Sequence, residues 1–118
     1  MAGNHSRNKG HGFEREIANK FKELFPKARR QLEYHEDDCN GIDIQNTGRL
    51  KIQCKRNKKY CSISKIKEVQ CLDDDIAILI TKGDREKEVA CLYLDDFIKI
   101  LKDIGEVYET SRRQKDVS

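Results

Sequence analysis

The chain has 118 residues, of which 36% are hydrophobic and 38% are charged, and this length excludes two independent folding units. Its apolar stretches are too short to span a bilayer and its first residues lack a secretory signal, so we expect a cytoplasmic protein without a membrane partner. Residues 1–70 carry 16 Lys and Arg against 9 Asp and Glu, which indicates a face that binds a polyanion.

A basic arm and an amphipathic helix come first in the chain. Residues 1–11 are small and polar, which predicts a mobile arm. The next segment has apolar residues at spacings of four, four and three, which is typical of a helix with one buried face. These residues are Phe13, Ile17, Phe21 and Leu24. We expect this helix to begin at Gly12 and to end at Pro26.

Three strands are predicted to follow this helix. Residues 28–34 predict an edge strand, and Ile42–Ile44 predicts a second strand in which Asp43 faces opposite to its two isoleucines. Residues 50–55 alternate between apolar and polar, so Gln53 and Lys55 are expected to share the polar face of a third strand. A tight turn between the second and third strands predicts a hairpin.

The second half of the chain predicts a helix, two strands and a final helix. Ser62 can cap a helix that continues to Gln70, and residues 76–80 and 89–94 are predicted strands. The last helix is expected to turn four apolar residues inward, namely Phe97, Ile98, Leu101 and Ile104. Residues 109–118 form a polar tail that is expected to fray. The order α-β-β-β-α-β-β-α predicts an α/β fold in which one mixed sheet is flanked by helices.

Polar side chains on the predicted hairpin can meet in space. Asp43 lies on one strand, and Gln53 and Lys55 lie on the other. If Glu14 on the first helix packs over that face, two carboxylates and one amide oxygen make a hard-oxygen site suited to Mg²⁺. Lys55 beside the cation would orient the attacking water and offset negative charge on phosphate oxygens. We therefore predict these four residues to be catalytic, with Glu14, Asp43 and Gln53 as the metal ligands.

Three segments resemble the motifs of a known nuclease superfamily. Gly12–Ile17 (GFEREI), Gly41–Ile44 (GIDI) and Ile52–Lys55 (IQCK) are similar to the three motifs of the PD-(D/E)XK nucleases, and most of all to those of archaeal-type Holliday junction resolvases, including versions carried by phages. The resemblance implies a restriction-endonuclease-like fold for a nuclease domain at residues 12–108.

The resemblance also implies a role for each motif residue. Glu14 matches the helix glutamate of the family, Asp43 the metal-binding aspartate and Lys55 the catalytic lysine. Gln53 stands at the position of the second acidic ligand, where the family usually has Glu. An amide oxygen can bind a hard cation but contributes no charge, so we expect weaker metal binding and a larger role for Glu14.

The implied activity is cleavage of DNA phosphodiesters with Mg²⁺, or with Mn²⁺ in its place, in order to resolve four-way junctions. The resemblance implies that the protein is a homodimer, that its partner is branched DNA and that it uses no small-molecule cofactor. If the chain is phage-encoded, the implied location is the host cytoplasm. Six cations are predicted to contact the DNA backbone, namely Arg7, Lys9, Arg30, Arg56, Lys58 and Lys59. Two alternatives stay open: a nicking or restriction-like endonuclease on duplex or flapped DNA, and a junction-binding module in which the neutral Gln53 signals lost catalysis.

Overall fold

Five strands in chain order form one mixed sheet at the centre of the molecule. The computed structural model describes residues 2–31 and 41–117, and the side chains of residues 10–31 and 41–105. The strands are β1 (Arg29–Arg30), β2 (Ile44–Gln45), β3 (Leu50–Arg56), β4 (Ile76–Lys82) and β5 (Val89–Cys91). Two α-helices, α1 (Ala2–Phe21) and α2 (Leu94–Val117), and one 3₁₀ helix (Ile63–Glu68) accompany them. The predicted α/β class, a single domain with a mixed sheet and helices, is confirmed.

The two longest strands lie side by side in the middle of the sheet. β3 and β4 pair in parallel, from Leu50 opposite Ile76 to Arg56 opposite Lys82, and the other neighbouring strands pair antiparallel. A parallel pair needs a crossover connection, and here the crossover contains the 3₁₀ helix. β4 is buried from Ile76 to Thr81, as expected for a central strand with a continuous apolar sequence.

Two apolar clusters cover opposite faces of this sheet. Helix α1 packs on the cluster that includes Ile52 and Cys54 of β3. The 3₁₀ helix packs on the other cluster, which includes Leu79 of β4. Because successive strand residues point to opposite faces, Gln53 and Lys55 lie on the face that the 3₁₀ helix covers.

Several element boundaries differ from those that the sequence predicts. α1 begins at Ala2, so the backbone of the predicted arm is helical, and it ends at Phe21, before Pro26. The segment after Ser62 is a 3₁₀ helix rather than an α-helix, as is common for short helical segments. It has six residues and ends where the chain becomes extended at Val69. β1 is shorter than the predicted strand 28–34, of which residues 32–34 lie outside the described residues. α2 continues through the predicted polar tail to Val117.

No helix within the described ranges is both long and apolar enough to cross a bilayer.

The apolar stripe of α2 faces away from the core. The sequence predicts that Phe97, Ile98, Leu101 and Ile104 point inward, but each exposes 39–45% of its surface. Ile100 packs instead against the cluster under α1. The prediction is wrong because helical spacing identifies an apolar stripe without specifying which surface covers it. The stripe of α2, defined by these four exposed residues and Leu94, is therefore an exposed apolar surface of the described chain.

Candidate active site

Asp43 lies immediately before β2, at the side of β3. Its backbone N–H donates to the carbonyl of Ile52 at 2.8 Å, and its Oδ2 accepts the backbone N–H of Cys54 at 2.7 Å. Burial raises the pKa of the Asp43 carboxyl, against the opposing effects of the Cys54 N–H and the charge of Lys55. The carboxylate is thus held in a fixed orientation by the β3 backbone.

The two isoleucines beside Asp43 do not share a face. Ile42 packs with the cluster under the 3₁₀ helix, whereas Ile44 packs with the cluster under α1. The predicted alternation is wrong here because β2 begins only at Ile44, so Asp43 precedes the regular strand. The irregular backbone lets the carboxylate reach the β3 main chain.

Gly41 brings the segment that carries Asp43 against the 3₁₀ helix. Its φ is +79°, which favours glycine, and a Cβ at this position would lie 2.9 Å from the carbonyl carbon of Glu68 and closer still to the carbonyl oxygen. Glycine therefore satisfies both the backbone conformation and the close approach. This contact holds the loop with Asp43 next to the end of the 3₁₀ helix.

Gln53 and Lys55 project from one face of β3, and both reach Glu68. Gln53 Nε2 donates to Glu68 Oε2 at 2.9 Å, and Lys55 Nζ lies 3.9 Å from the same oxygen. Gln53 is only 2% exposed, and its Oε1 is buried without a hydrogen-bond partner among the described residues. A buried acceptor without a partner is costly, so this oxygen is a candidate ligand for a cation.

Glu68 is the acidic residue of this site that the sequence pattern does not identify. Its Oε1 lies 3.2 Å from Lys65 Nζ, and this bond, ahead of the one from Gln53, lowers the pKa of the Glu68 carboxyl. The charge of Glu68 contributes to the raised pKa of Asp43, so the two carboxylates interact. Glu68 follows Gln53 by 15 residues and belongs to no periodic motif with it. Only the crossover in the folded chain brings it to the site.

Glu14 approaches β3 from the other face of the sheet. Its helix covers the apolar cluster that contains Cys54, whereas Gln53 and Lys55 point towards the 3₁₀ helix. The expected packing of α1 over the polar face is therefore wrong, because the apolar stripe of α1 matches the apolar face of β3. Burial is the main cause of a raised pKa at the Cys54 thiol, followed by the charges of Asp43 and Glu14. Both carboxylates thus lie within electrostatic range of Cys54.

The oxygen donors at the site fit a hard cation. Asp43 and Glu68 offer carboxylates, and Gln53 offers an amide oxygen that has no hydrogen-bond partner in the described part of the chain. Mg²⁺ is usually held by one or two carboxylates together with waters and substrate phosphate, and this donor set matches that requirement. Within residues 10–31 and 41–105, no group of three or more His, Cys, Asp or Glu side chains is arranged to hold a metal ion.

The cations predicted to contact DNA occupy different environments. Arg7 and Lys9 have side chains outside the described part of the chain. Lys58 and Lys59 are exposed in the loop that follows β3. The side chain of Arg56 is only 20% exposed, and its Nη2 lies 3.6 Å from Oδ1 of Asp84. Arg56 is therefore less accessible to DNA than the two lysines are.

Arg30 belongs to a basic cavity between α1 and β1. The cavity has a volume of about 280 Å³ and is lined by four cationic side chains, Arg15, Lys22, Arg29 and Arg30. No Asp or Glu of the described residues lines it. Arg30 Nη1 donates to the carbonyl of Gln31 at 3.3 Å. Four of the cations in the first half of the chain thus line one cavity.

Comparisons with protein-family models, with curated proteins and with solved structures found no match for this chain. The side-chain chemistry around Asp43 and Gln53 is therefore what bears on function.

Proposed function

We propose that the protein is a metal-dependent endonuclease that cleaves branched DNA and resolves four-way junctions. One observation carries the proposal: the charge of Lys55 acts on Asp43, and Gln53, on the same face of β3 as Lys55, has a buried Oε1 without a hydrogen-bond partner among the described residues. A carboxylate, an amide oxygen and an ammonium at one place suit the binding of a hard cation and the stabilisation of a phosphorane-like transition state. The similarity of the GIDI and IQCK segments to the PD-(D/E)XK motifs supports the same reaction.

Each side chain has a distinct task in this reaction. Asp43 and Gln53 Oε1 would hold Mg²⁺ or Mn²⁺, which when bound supplies positive charge against the scissile phosphate. The Cys54 N–H keeps the Asp43 carboxylate oriented, so little reorganisation is needed during the reaction. Lys55 donates hydrogen bonds to the attacking water and to the phosphate oxygen on which charge develops. The water oxygen forms a bond to phosphorus in line with the bond from phosphorus to the 3′-oxygen, which breaks. The proton of the water passes to solvent and the 3′-oxygen takes a proton from solvent, which leaves a 5′-phosphate and a 3′-hydroxyl end.

The surroundings of the site suit a DNA backbone. Lys58 and Lys59 are exposed just beyond Lys55, where they would contact phosphates that flank the cleaved bond. The basic cavity with Arg30 would bind a further stretch of backbone. These contacts recognise shape and charge, which is appropriate for a branched substrate without sequence readout. We place the activity in the cytoplasm, or in the host cytoplasm for a phage-encoded chain.

A homodimer would supply the two cuts that a junction requires. Each site cleaves one strand, so symmetric resolution needs two opposed sites related by a twofold axis. The stripe of α2 exposes Leu94, Phe97, Ile98, Leu101 and Ile104. A second copy of the same helix would cover this apolar surface in an isologous contact. We therefore assign the stripe to the dimer interface.

Cleavage of a labelled four-way junction, with and without Mg²⁺, tests the proposal. We expect Lys55→Ala to lower the cleavage rate by at least about 10²-fold, because it removes the ammonium at the phosphate. Binding of the junction should change little, since only one of many positive charges is lost. Lys51→Ala is the matched control, because it removes the same charge from the same face of β3 at the other end of the strand.

Three outcomes would contradict the proposal in different ways. Equal cleavage by the wild type and Lys55→Ala would exclude this site as the catalytic centre. Equal cutting of linear duplex and junction would instead identify a nicking or restriction-like endonuclease. Tight junction binding by a wild type that cleaves with neither Mg²⁺ nor Mn²⁺ would identify a binding module.

A further inference from the structure

We infer that Glu68 supplies the carboxylate that position 53 lacks, and that it binds the divalent cation together with Asp43 and the Oε1 atom of Gln53. This inference rests on the proposed function because it concerns the same site. It adds a ligand that lies outside all three sequence motifs.

The orientation of the Gln53 amide is the first argument. Its Nε2 donates a hydrogen bond to Glu68 Oε2 at 2.9 Å, which fixes the amide beside the Glu68 carboxylate. Oε1 is buried and has no partner among the described residues, although the side chain is almost wholly enclosed. In a folded protein an ordered water or an ion completes such an acceptor. A divalent cation is one ligand that would complete this oxygen, because amide and carboxylate oxygens are both ligands of hard cations.

The placement of the two carboxylates is the second argument. The contact of Gly41 with the Glu68 carbonyl brings the Asp43 loop against the end of the 3₁₀ helix. Asp43 follows Gly41 by two residues, so this contact brings two negatively charged side chains near each other, and they repel. A divalent cation between the two carboxylates would relieve this repulsion. Lys55 offsets it only in part, because its Nζ lies 3.9 Å from Glu68 Oε2.

The exposure of Glu68 is the third argument. Its side chain is 47% exposed and is held by Lys65, which is also exposed, at 3.2 Å. An exposed ion pair contributes little stability, so Glu68 can exchange Lys65 for a cation at small cost. The pair with Lys65 thus competes with metal binding. Removing the lysine side chain with Lys65→Ala should therefore increase cation affinity.

Binding of Mn²⁺ to the protein without DNA, followed by electron paramagnetic resonance, tests the inference independently of cleavage. We expect Glu68→Gln to weaken Mn²⁺ binding about 10–100-fold, as loss of a metal-site partner does. The double variant Gln53→Glu with Glu68→Gln should restore affinity to within about threefold of the wild type, because it retains two carboxylates and one amide oxygen. Asp73→Asn is the control, since this exposed aspartate precedes β4 at the other end of the parallel pair.

The outcomes separate this inference from the proposed function. Wild-type affinity in Glu68→Gln, together with weakened binding in Asp43→Asn, would overturn the role of Glu68 and leave the catalytic site in place. Weakened binding in Glu68→Gln that the double variant fails to restore would also overturn it, because a carboxylate at position 53 would then not replace the one lost at position 68. Unchanged Mn²⁺ binding in both Asp43→Asn and Glu68→Gln would contradict the proposed metal site as a whole. Circular dichroism of each variant confirms that it is folded.

Discussion

Replacing Gly41 by alanine tests whether the loop before β2 is held in place by the 3₁₀ helix. The φ of +79° lies in the left-handed region, which costs a residue with a Cβ about 1–2 kcal/mol. The new Cβ would also lie 2.9 Å from the Glu68 carbonyl carbon and 3.2 Å from Val69 Cα, which are backbone atoms that cannot rotate away. Overpacking of this kind costs about 1–3 kcal/mol. We therefore expect Gly41→Ala to lower the free energy of unfolding by about 2–5 kcal/mol.

A second glycine separates backbone strain from the contact with Glu68. Gly48 has a φ of +60°, but the nearest atom to its added Cβ is Cε1 of Phe25 at 3.4 Å, an ordinary contact. Gly48→Ala should therefore cost only the strain, about 1–2 kcal/mol. Gly12→Ala should stabilise the protein by about 0.5–1 kcal/mol, because this helical position meets no atom within 4 Å.

Urea unfolding followed by circular dichroism gives the three free energies, and Mn²⁺ binding in the folded samples reports on the site. We expect Gly41→Ala to weaken Mn²⁺ binding, since the added Cβ pushes Glu68 away from Asp43. Gly48→Ala should leave the binding unchanged. Equal loss of stability in Gly41→Ala and Gly48→Ala would refute the reasoning, because the close approach to Glu68 would then contribute nothing.

Three other perturbations test the buried carboxylate, the core and the interface. Burial raises the pKa of Asp43, so the folded state holds this proton more tightly, and stability falls as pH rises from 3.8 towards the folded pKa. Asp43→Asn should remove this loss of stability and make the protein more stable at neutral pH. Urea unfolding in acid and at neutral pH measures the effect. A steeper dependence of the unfolding free energy on pH in the variant would contradict the prediction. Leu79→Ala, at a fully buried position, should lower the free energy of unfolding by about 2–5 kcal/mol. Leu72→Ala, at a position that is 81% exposed, should change it by no more than about 0.5 kcal/mol. Similar losses in the two variants would contradict the assigned core. Leu101→Lys on the stripe of α2 should raise the dissociation constant of the proposed dimer at least about tenfold, as measured by analytical ultracentrifugation. The control Lys102→Ala should leave this constant unchanged. An unchanged dissociation constant in Leu101→Lys would place the interface elsewhere.

Local periodicity accounts for what the sequence predicts well. The alternation of β3 places Gln53 and Lys55 on one face, because a strand repeats every two residues whatever its partners are. The continuous apolar run of β4 likewise indicates a strand buried on both sides. In the same way, the spacing of Phe13 and Ile17 identifies the buried face of α1. Each of these features depends only on neighbours within a few positions along the chain.

Packing between distant segments decides the rest. Glu14 lies across the sheet from Gln53, since α1 packs on whichever face of β3 is apolar. The stripe of α2 has the spacing of a core face but lies exposed, because spacing does not say which surface covers it. Glu68 joins the site through the crossover between parallel strands and through the close approach of Gly41. The sequence alone thus determines the two long strands β3 and β4 and which side chains of β3 share a face. The tertiary structure decides which charged groups meet, because that depends on contacts between segments far apart in the chain.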